Sequence, residues 1–431
     1  MPFLALQTSI MSAIMQICYS SDKPVISMSD YHTFTAADAK AFALAHGDTF
    51  QDSDTLEAEE FGDGNLNLVF RVNNDNGRSL IVKQALPYAR CVGESWPLTI
   101  ERARIEAEVL LRHGQLCPQH TVKILHYDAK AAAILMEDLG QMRILRDELV
   151  AGKQCPHLAE QIALYLAHTL FFTSDFVLNG LQKKAEVARF LNPELCLITE
   201  DLFFSDPYCN HERNNIHQPI MPQARELWHD ETLQAEVARL KADFLAKPQA
   251  LLHGDMHSGS IFIDEEHCKV IDAEFGFYGP IGFDVGSFIG NLLLNYAGQF
   301  GLQDDEQQRQ QQHDYLLQQI ETLWQSFSHE FNRLMQTEIK ENSFRNTGYQ
   351  HYFLQQVLAD SIGYAGTELI RRTVGLAHVA DLEQIRNEQH RAASERWALQ
   401  LGRSLILQRQ QLTTIHQLLT LVRHQALTNQ A

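Results

Sequence analysis

The sequence is poor in cysteine, and the few cysteines it has are scattered. Its 431 residues include 7 Cys, an odd number, and none of them forms a CxxC pair. A disulfide framework and a cysteine-based zinc site are therefore not expected, and a reducing cytosol is the compartment that fits this cysteine usage.

Basic residues are also scarce. The chain has 35 Lys and Arg against 54 Asp and Glu, which gives a net charge of −19. A chain this acidic is a poor general binder of nucleic acid or of an anionic membrane, so we expect neither as a partner. It can bind an anionic ligand only where its few cations are gathered in one place.

Long uninterrupted apolar runs are missing as well. Residues 1–20 are rich in apolar side chains, but no Lys or Arg precedes them, and the stretch is too interrupted for a membrane span of about 20 apolar residues. Met28 opens a segment that resembles a natural start. We therefore expect residues 1–27 to be an extension outside the fold, with a targeting segment as the alternative.

What the sequence does have is a globular composition, with 45% hydrophobic residues, and two parts of different character. Residues 28–140 are strand-rich, and an Asn76-Gly77 pair between two apolar runs predicts a hairpin. The pattern predicts a small antiparallel sheet with one packed helix. The predicted strands are 56–61, 66–72, 79–83, 122–127 and 132–136, and the helix is 99–112.

The second part, residues 141–431, is mostly helical in pattern. Residues 159–178 form one predicted helix, and residues 283–296, apolar on nearly all sides, predict a buried one. The glutamine-rich stretch 306–319 predicts a solvated helix face or a connection, and 391–423 predicts one or two long amphipathic helices. The whole is an α+β fold.

The strongest chemical signal is a polar loop followed by a short hairpin. His253-Gly254-Asp255 precedes predicted strands at 261–263 and 269–271, and Asp272 and Glu274 follow them. Because a hairpin brings its two ends together, we expect Asp255 and Asp272 to converge although they lie far apart in sequence. Converging carboxylates suit a hard divalent cation, and Glu274 would share one face of an extended segment with Asp272.

A second signal lies in the sheet-forming part. Gly62 and Gly64 sit between two predicted strands, where the backbone could cradle phosphate oxygens, although such a loop alone is equally typical of an ordinary turn. Lys83 ends the next strand and could reach the same phosphates. Glu106 on the following helix could hold it by an ion pair, with Glu108 as the fallback.

These candidate elements follow one another in the order that kinase-like enzymes use: a glycine loop, a lysine, a helix glutamate, a loop aspartate and a metal-binding acid. The sequence contains neither a GxxxxGK[ST] motif nor a GxGxxG motif. The chain resembles the aminoglycoside-phosphotransferase and choline-kinase group, whose fold is protein-kinase-like with two lobes. The motifs that carry the resemblance are His-Gly-Asp-Met-His-Ser-Gly-Ser-Ile (253–261), Asp-Ala-Glu (272–274), Asp-Gly-Asn-Leu-Asn (63–67), Val-Gly-Glu-Ser-Trp-Pro-Leu-Thr (92–99) and Arg371-Arg372. Within the group the chain is similar to the methylthioribose kinase family.

The resemblance implies a nucleotide site for ATP and Mg²⁺. Asp272 and Glu274 would hold the metal, with Ala273 between them, and Asp284 would support the loop around Asp255. Ser260 stands where most kinases carry a metal-binding Asn. The remaining nucleotide contacts implied by the resemblance are Gly62, Gly64, Asn67, Lys83, Glu106 and the backbone of Glu137, Asp138 and Leu139.

The resemblance also implies a sugar site. Asp255 would be the catalytic base, bonded to the 1-hydroxyl of 5-methylthioribose, and Trp96 would lie in a loop that covers the site. Arg371 and Arg372 would bind the substrate and the transferred phosphoryl group, and since adjacent side chains diverge, we expect Arg371 to matter more. A cytoplasmic homodimer acting in methionine salvage is the expected context.

Three alternatives remain open at the level of sequence. The first is a choline, homoserine or aminoglycoside kinase of the same group. The second is a zinc-dependent hydrolase built on His253, Asp255, His257 and Asp272. The third is a silent ATP-binding scaffold, although the acids needed for chemistry are all present.

Overall fold

The computed structural model describes residues 31–61, 66–90, 93 and 96–428. The predicted extension 1–27 and the two glycines of the predicted phosphate loop, Gly62 and Gly64, lie outside these ranges. No helix within them is both long and apolar enough to cross a membrane.

The N-terminal part is built on a five-stranded antiparallel sheet with the strand order β1-β2-β3-β5-β4. Asn74 N–H donates to Arg78 O (3.0 Å), and Gly77, at φ +75°, makes the turn between β2 and β3. The predicted hairpin is therefore present, and each predicted strand is found within two residues of its expected ends. The strands are β1 (Leu56–Glu60), β2 (Asn67–Asn74), β3 (Ser79–Ala85), β4 (Ile124–Asp128) and β5 (Ala133–Glu137).

Both faces of this sheet are covered by a helix, where the sequence predicted only one. Successive residues of a strand point to opposite faces. Ala133 and Leu135 of β5 therefore pack toward helix α1 (Ala36–His46), while Ile134 and Met136 pack toward α2 (Arg102–Leu116). The α2 helix is the predicted one. The alanine-rich α1 was missed.

The C-terminal part is helical, with two small sheets that carry the loop motifs. Helix α9 is buried along nearly its whole length, as its apolar composition predicted. The short strands are β6 (Arg143–Ile144), β7 (Ala250–Leu251), β8 (Ile261–Ile263), β9 (Cys268–Val270) and β10 (Tyr278–Gly279). The helices are α3 (Leu145–Val150), α4 (Leu158–Phe172), α5 (Gly180–Arg189), α6 (Pro193–Phe204), α7 (Met221–Trp228), α8 (Glu231–Ala246), α9 (Ile281–Leu302), α10 (Glu306–Thr337), α11 (Thr347–Val374), α12 (Ala380–Glu383), α13 (Glu388–Gln408) and α14 (Ile415–Thr428).

Two helix predictions need correction, and a third is confirmed. The helix predicted over 159–178 ends at Phe172, where the Ser174 hydroxyl donates to Phe171 O (2.6 Å) and replaces a helical bond. The glutamine-rich stretch 306–319 is part of the long α10, one side of which is buried, so it is neither a connection nor wholly solvated. The stretch 391–423 was expected to form one or two helices, and it forms two, α13 and α14, separated by a turn at 409–414.

Candidate active site

The hairpin of β8 and β9 brings the two ends of the acidic motif together. Its strands pair antiparallel, with Ile261 opposite Val270, and Ile271 N–H donates to Ser260 O (3.0 Å) just beyond them. His253 joins the two flanking loops because its Nε2 lies 2.7 Å from Ile271 O. The predicted convergence of the loop before the hairpin with the loop after it is present.

Asp284, near the start of α9, holds the first of these loops in place. One of its carboxylate oxygens accepts from His253 N–H (2.7 Å) and the other from Gly254 N–H (3.0 Å). Gly254 has φ +84°, and a Cβ there would lie 2.1 Å from Phe275 O. Only glycine fits this position, so the backbone leading into Asp255 is fixed by both packing and hydrogen bonding.

A histidine and two arginines surround Asp255. Nε2 of His257 lies 3.2 Å from one carboxylate oxygen, and the Nη2 atoms of Arg371 and Arg372 lie 3.5 and 3.8 Å from the other. Burial alone would raise the pKa of Asp255, but His257 and the two arginines hold it well below its usual range. Asp255 is therefore a carboxylate, able to accept a proton or a hydroxyl hydrogen bond.

The two arginines converge, contrary to the expectation that adjacent side chains would diverge. Both donate through Nε to the buried Glu368, Arg372 over 3.0 Å. Glu368 precedes them by three and four residues on α11, so it lies beside both on the helix. The Arg371 guanidinium also lies 3.6 Å from the centre of the Phe203 ring. Both arginines are therefore held toward Asp255.

Lys83 links the sheet to the acidic loop. Its ammonium donates to Glu106 (2.8 Å) and also contacts the carboxylate of Asp272, a residue with φ +67°. Burial alone would lower the pKa of Lys83, but Asp272, Glu106 and Glu274 raise it above its ordinary value. The fallback Glu108 pairs instead with Arg104 (3.0 Å), so Glu106 is the lysine's helix partner.

Three carboxylates meet at Lys83. One oxygen from each of Glu106, Asp272 and Glu274 lies within 4.8 Å of the others. Oxygen ligands at this separation fit a hard divalent cation such as Mg²⁺. The pKa of Glu274 is raised, chiefly by burial and by Asp272, as expected for an acid that shares a small volume with other acids.

Arg102 and Asn67 fix the orientation of Glu274. Asn67 Nδ2 donates to Glu274 Oε2 (2.9 Å), and Arg102 Nε lies 3.3 Å from the same oxygen. The fully buried Arg102 also donates to four other oxygens. They are Leu66 O (2.8 Å), Asn67 Oδ1 (3.1 Å), Leu86 O (2.7 Å) and Thr99 O (2.8 Å).

Ion pairs occupy the side chains of the segment predicted to bind adenine. Glu137 accepts from Lys123 N–H (2.8 Å) and contacts Lys269, and Asp138 pairs with Arg71 (2.8 Å). Leu139 packs against the core beneath α2. These contacts fix the link between the sheet and the helical part, and adenine binding by the backbone of this segment stays a prediction.

Three other predicted positions have distinct surroundings. Ala273, between the two metal-site acids, is completely buried. The Ser260 hydroxyl lies 3.4 Å from Asp255 O and 3.2 Å from His257 Nδ1, which makes it a support of the loop. Trp96 is half-buried in a short hairpin, where its carbonyl accepts from Ala89 N–H (2.9 Å), and its role as a cover stays a prediction.

The zinc-hydrolase alternative lacks its ligand set. Both ring nitrogens of His253 are engaged, one with Ile271 O and the other with Asp255 N–H (3.3 Å). Within the described ranges, the groups of three side chains able to hold a metal do not include His253 or His257.

Several side chains that build the site were not predicted. Glu368 could have been found, because an acid three and four residues before two arginines on a helix is a recognisable spacing. Arg102 and Asn192, whose amide donates to Glu274 O (2.8 Å), carry no such local signal. Arg146, which donates to Ser258 Oγ (3.1 Å), lacks one too.

Comparison with known proteins places this geometry in a family. The model of the phosphotransferase enzyme family matches residues 57–327. The methylthioribose kinase of Yersinia enterocolitica is 54% identical over 400 residues, 92% of this chain and 99% of that protein. That of Pectobacterium carotovorum is 54% identical over 397 residues, with the same coverage.

Among solved structures, a choline/ethanolamine kinase family protein from Mesorhizobium loti is 13% identical and has a TM-score of 0.41, over 90% of this chain and 100% of that one. The family assignment depends on the sequence matches, which extend over both the sheet and the helical part. The chain belongs to the phosphotransferase enzyme family and, within it, to the methylthioribose kinases.

Proposed function

We propose that this protein transfers the terminal phosphoryl group of ATP to the 1-hydroxyl of 5-methylthioribose, giving 5-methylthioribose 1-phosphate. The observation that carries the proposal is the pairing of two adjacent sites. Asp255 stands among Arg371, Arg372 and His257, while Lys83 stands among three carboxylates at the other end of the same hairpin. The full-length identity to methylthioribose kinases supports the choice of sugar.

In this proposal Asp255 orients the attacking hydroxyl and accepts its proton. Its low pKa makes it a weak base, which suits a loose transition state where the proton leaves late. Arg371 and Arg372 offset the negative charge on the oxygens of the phosphoryl group while that group moves from the nucleotide to the sugar. Glu368 keeps both guanidinium groups aimed at the reacting atoms, so positioning supplies much of the rate.

On the nucleotide side, Lys83 would contact the phosphates, together with Asn67 and the loop of Gly62 and Gly64. The backbone of residues 137–139 would receive adenine. Asp272 and Glu274 would hold Mg²⁺, which when bound supplies charge neutralisation on the polyphosphate. Trp96 would lie in the loop that excludes water from the sugar.

The arginine pair argues against the cationic acceptors. Choline and aminoglycosides need unpaired carboxylates, whereas Asp255 and Glu368 already face Arg371 and Arg372. A neutral sugar has no such requirement, and its hydroxyl groups can accept from Arg371 and Arg372. We also infer a cytoplasmic homodimer acting in methionine salvage, and light scattering of the purified protein tests the dimer.

An ATP-coupled assay against 5-methylthioribose, ribose, choline, homoserine and an aminoglycoside tests the function. We expect turnover with 5-methylthioribose far above that with the others, and phosphorus NMR should place the phosphate on the anomeric carbon. Preference for choline or homoserine, or a phosphate on another hydroxyl, would contradict the proposal.

A further inference from the structure

A second group of potential metal ligands lies far from the catalytic loop, on the N-terminal part. His46 belongs to the last turn of α1, and His126 and Asp128 belong to β4, an edge strand of the sheet. We call these three residues the histidine cluster. It lies on the side of the sheet that α1 covers, whereas Lys83 and Glu106 lie on the side of α2.

The histidine cluster brings three potential ligand atoms together. One ligand atom from each residue lies within 4.8 Å of the other two. The imidazole rings of His46 and His126 are stacked, with centroids 3.9 Å apart and planes 3° from parallel. The lone pair of an imidazole nitrogen lies in the plane of its ring, so one ring has to turn before both nitrogens bind the same ion. His46 is exposed and is the ring that we expect to turn.

The hydrogen bonds around the cluster leave these ligand atoms available. Asp128 uses Oδ1 to accept from Lys130 N–H (2.8 Å) and Ala131 N–H (2.9 Å), which fixes the carboxylate while Oδ2 remains for a ligand. Neither imidazole has a hydrogen-bond partner among the described residues. The four ring nitrogens of His46 and His126 therefore have no hydrogen-bond partner among the described residues, and ring stacking does not supply one.

The chemistry of the donors selects the class of ion. Two neutral imidazole nitrogens and one carboxylate suit a borderline transition metal such as Zn²⁺, whereas Mg²⁺ prefers oxygen ligands only. Two electrostatic features favour a cation here. His46 stands at the C-terminal end of α1, where the helix dipole is negative, and the chain as a whole has a net charge of −19.

We propose that His46, His126 and Asp128 form a binding site for a divalent transition-metal ion such as Zn²⁺. This site is separate from the carboxylate site at Lys83. An ion held there would connect α1 to the edge strand β4 and so stabilise the sheet. It would not take part in phosphoryl transfer, so the inference is independent of the proposed function.

Calorimetric titration of the full-length protein with ZnCl₂ tests this site. Mg²⁺ in large excess should be present throughout, because it occupies oxygen-only sites and leaves imidazole nitrogens free. We expect Zn²⁺ binding to the wild-type protein, and at least a tenfold weaker affinity in His46→Ala and in His126→Ala. The matched control is His157→Ala, which removes an exposed histidine outside the cluster and should leave the affinity unchanged.

Asp128→Asn is the second variant, since the amide oxygen can still accept the two backbone bonds that Oδ1 accepts now. It should also weaken Zn²⁺ binding at least tenfold, and its melting temperature without zinc should stay near the wild-type value. If His46→Ala and His126→Ala lose less than tenfold in affinity, or if excess Mg²⁺ abolishes Zn²⁺ binding to the wild-type protein, the proposal is wrong. Co²⁺ in place of Zn²⁺ gives a second readout, a visible absorption band that should disappear in His126→Ala.

Discussion

Nε of Arg102 lies 3.3 Å from Oε2 of Glu274, and both side chains are buried. The same guanidinium donates to the carbonyls of Leu66, Leu86 and Thr99. These carbonyls flank the glycine loop on one side and the hairpin of Trp96 on the other. One arginine therefore ties an acid of the proposed metal site to both loops that are expected to cover the phosphates and the sugar.

We expect Arg102→Lys to raise the KM for the magnesium–ATP complex more than it lowers kcat. A lysine keeps the charge beside Glu274 but cannot reach the separate carbonyl oxygens at once. The KM for the magnesium–ATP complex and the Mg²⁺ requirement should rise by about tenfold, which corresponds to the loss of one or two charged hydrogen bonds. Steady-state kinetics at several Mg²⁺ concentrations measure both.

Arg102→Met separates this effect from folding. It removes the guanidinium that lies 3.3 Å from the buried Glu274, so we expect the free energy of unfolding to fall by about 3–5 kcal/mol. Urea denaturation measures this loss. If Arg102→Lys were as unstable as Arg102→Met, its kinetic change would reflect misfolding and the positioning role would be refuted.

Asp255→Asn should remove turnover while leaving the nucleotide site intact. The amide keeps the shape of the side chain but cannot accept the proton, so kcat should fall by about 10² to 10⁴. ATP affinity, measured by calorimetry, should stay within about twofold, because Asp255 contacts His257 and the arginines and not Lys83. A variant that retains substantial kcat would exclude Asp255 as the base.

Arg371→Lys and Arg372→Lys should have similar effects, because both guanidinium groups converge on Asp255 and share Glu368. Each variant loses one charged hydrogen bond, which contributes about 1.5–3 kcal/mol. This loss predicts a decrease of about tenfold to a hundredfold in kcat/KM for the sugar. ATP affinity should be nearly unchanged. The control is Arg333→Lys on the exposed side of α10. A large effect from Arg371 alone would restore the expectation that only one arginine matters.

Binding of Mg²⁺ should release a proton from the carboxylate site. Burial and the neighbouring Asp272 raise the pKa of Glu274, so in the metal-free protein Glu274 keeps its proton to a higher pH than a free carboxyl does. A cation at Asp272 and Glu274 lowers this pKa again, and the proton leaves. Release should therefore increase as the pH falls below neutral and decrease as the pH rises.

Calorimetry in buffers of different ionisation enthalpy counts the protons released. In Glu274→Gln this release should be lost while Mg²⁺ still binds, more weakly, through Asp272. Wild-type protein that binds Mg²⁺ with the same proton count at every pH between 5 and 8 would contradict a raised pKa at Glu274.

Local patterns in the sequence were sufficient for the main catalytic elements. An Asn-Gly turn predicted the hairpin that places Lys83, and two apolar triplets around a polar turn predicted the hairpin between Asp255 and Asp272. Both are short-range features, in which turn chemistry and strand alternation decide the structure. Lys83 is the last residue of one predicted strand and Asp272 directly follows another, so these two hairpins place both residues.

What the sequence could not predict depends on long-range packing. Arg102 is bonded to segments that precede it and to Glu274 far downstream, and no periodicity encodes those contacts. The helix α1 was missed because its alanine-rich stretch shows almost no contrast between its faces. The convergence of Arg371 and Arg372 on one acid was missed because the Cα–Cβ bonds of adjacent helical residues point in different directions. Arginine side chains are long enough for both guanidinium groups to reach the same acid.

The ammonium of Lys83 already has anionic partners on both sides of the cleft, Glu106 from α2 and Asp272 from the loop after β9. Its water shell has thus been stripped away during folding, before any nucleotide arrives. A phosphate that reaches Lys83 exchanges places with a carboxylate and does not have to dehydrate a free cation. The free energy needed to remove water from the ammonium is therefore spent once, when the chain folds, and not in every catalytic cycle.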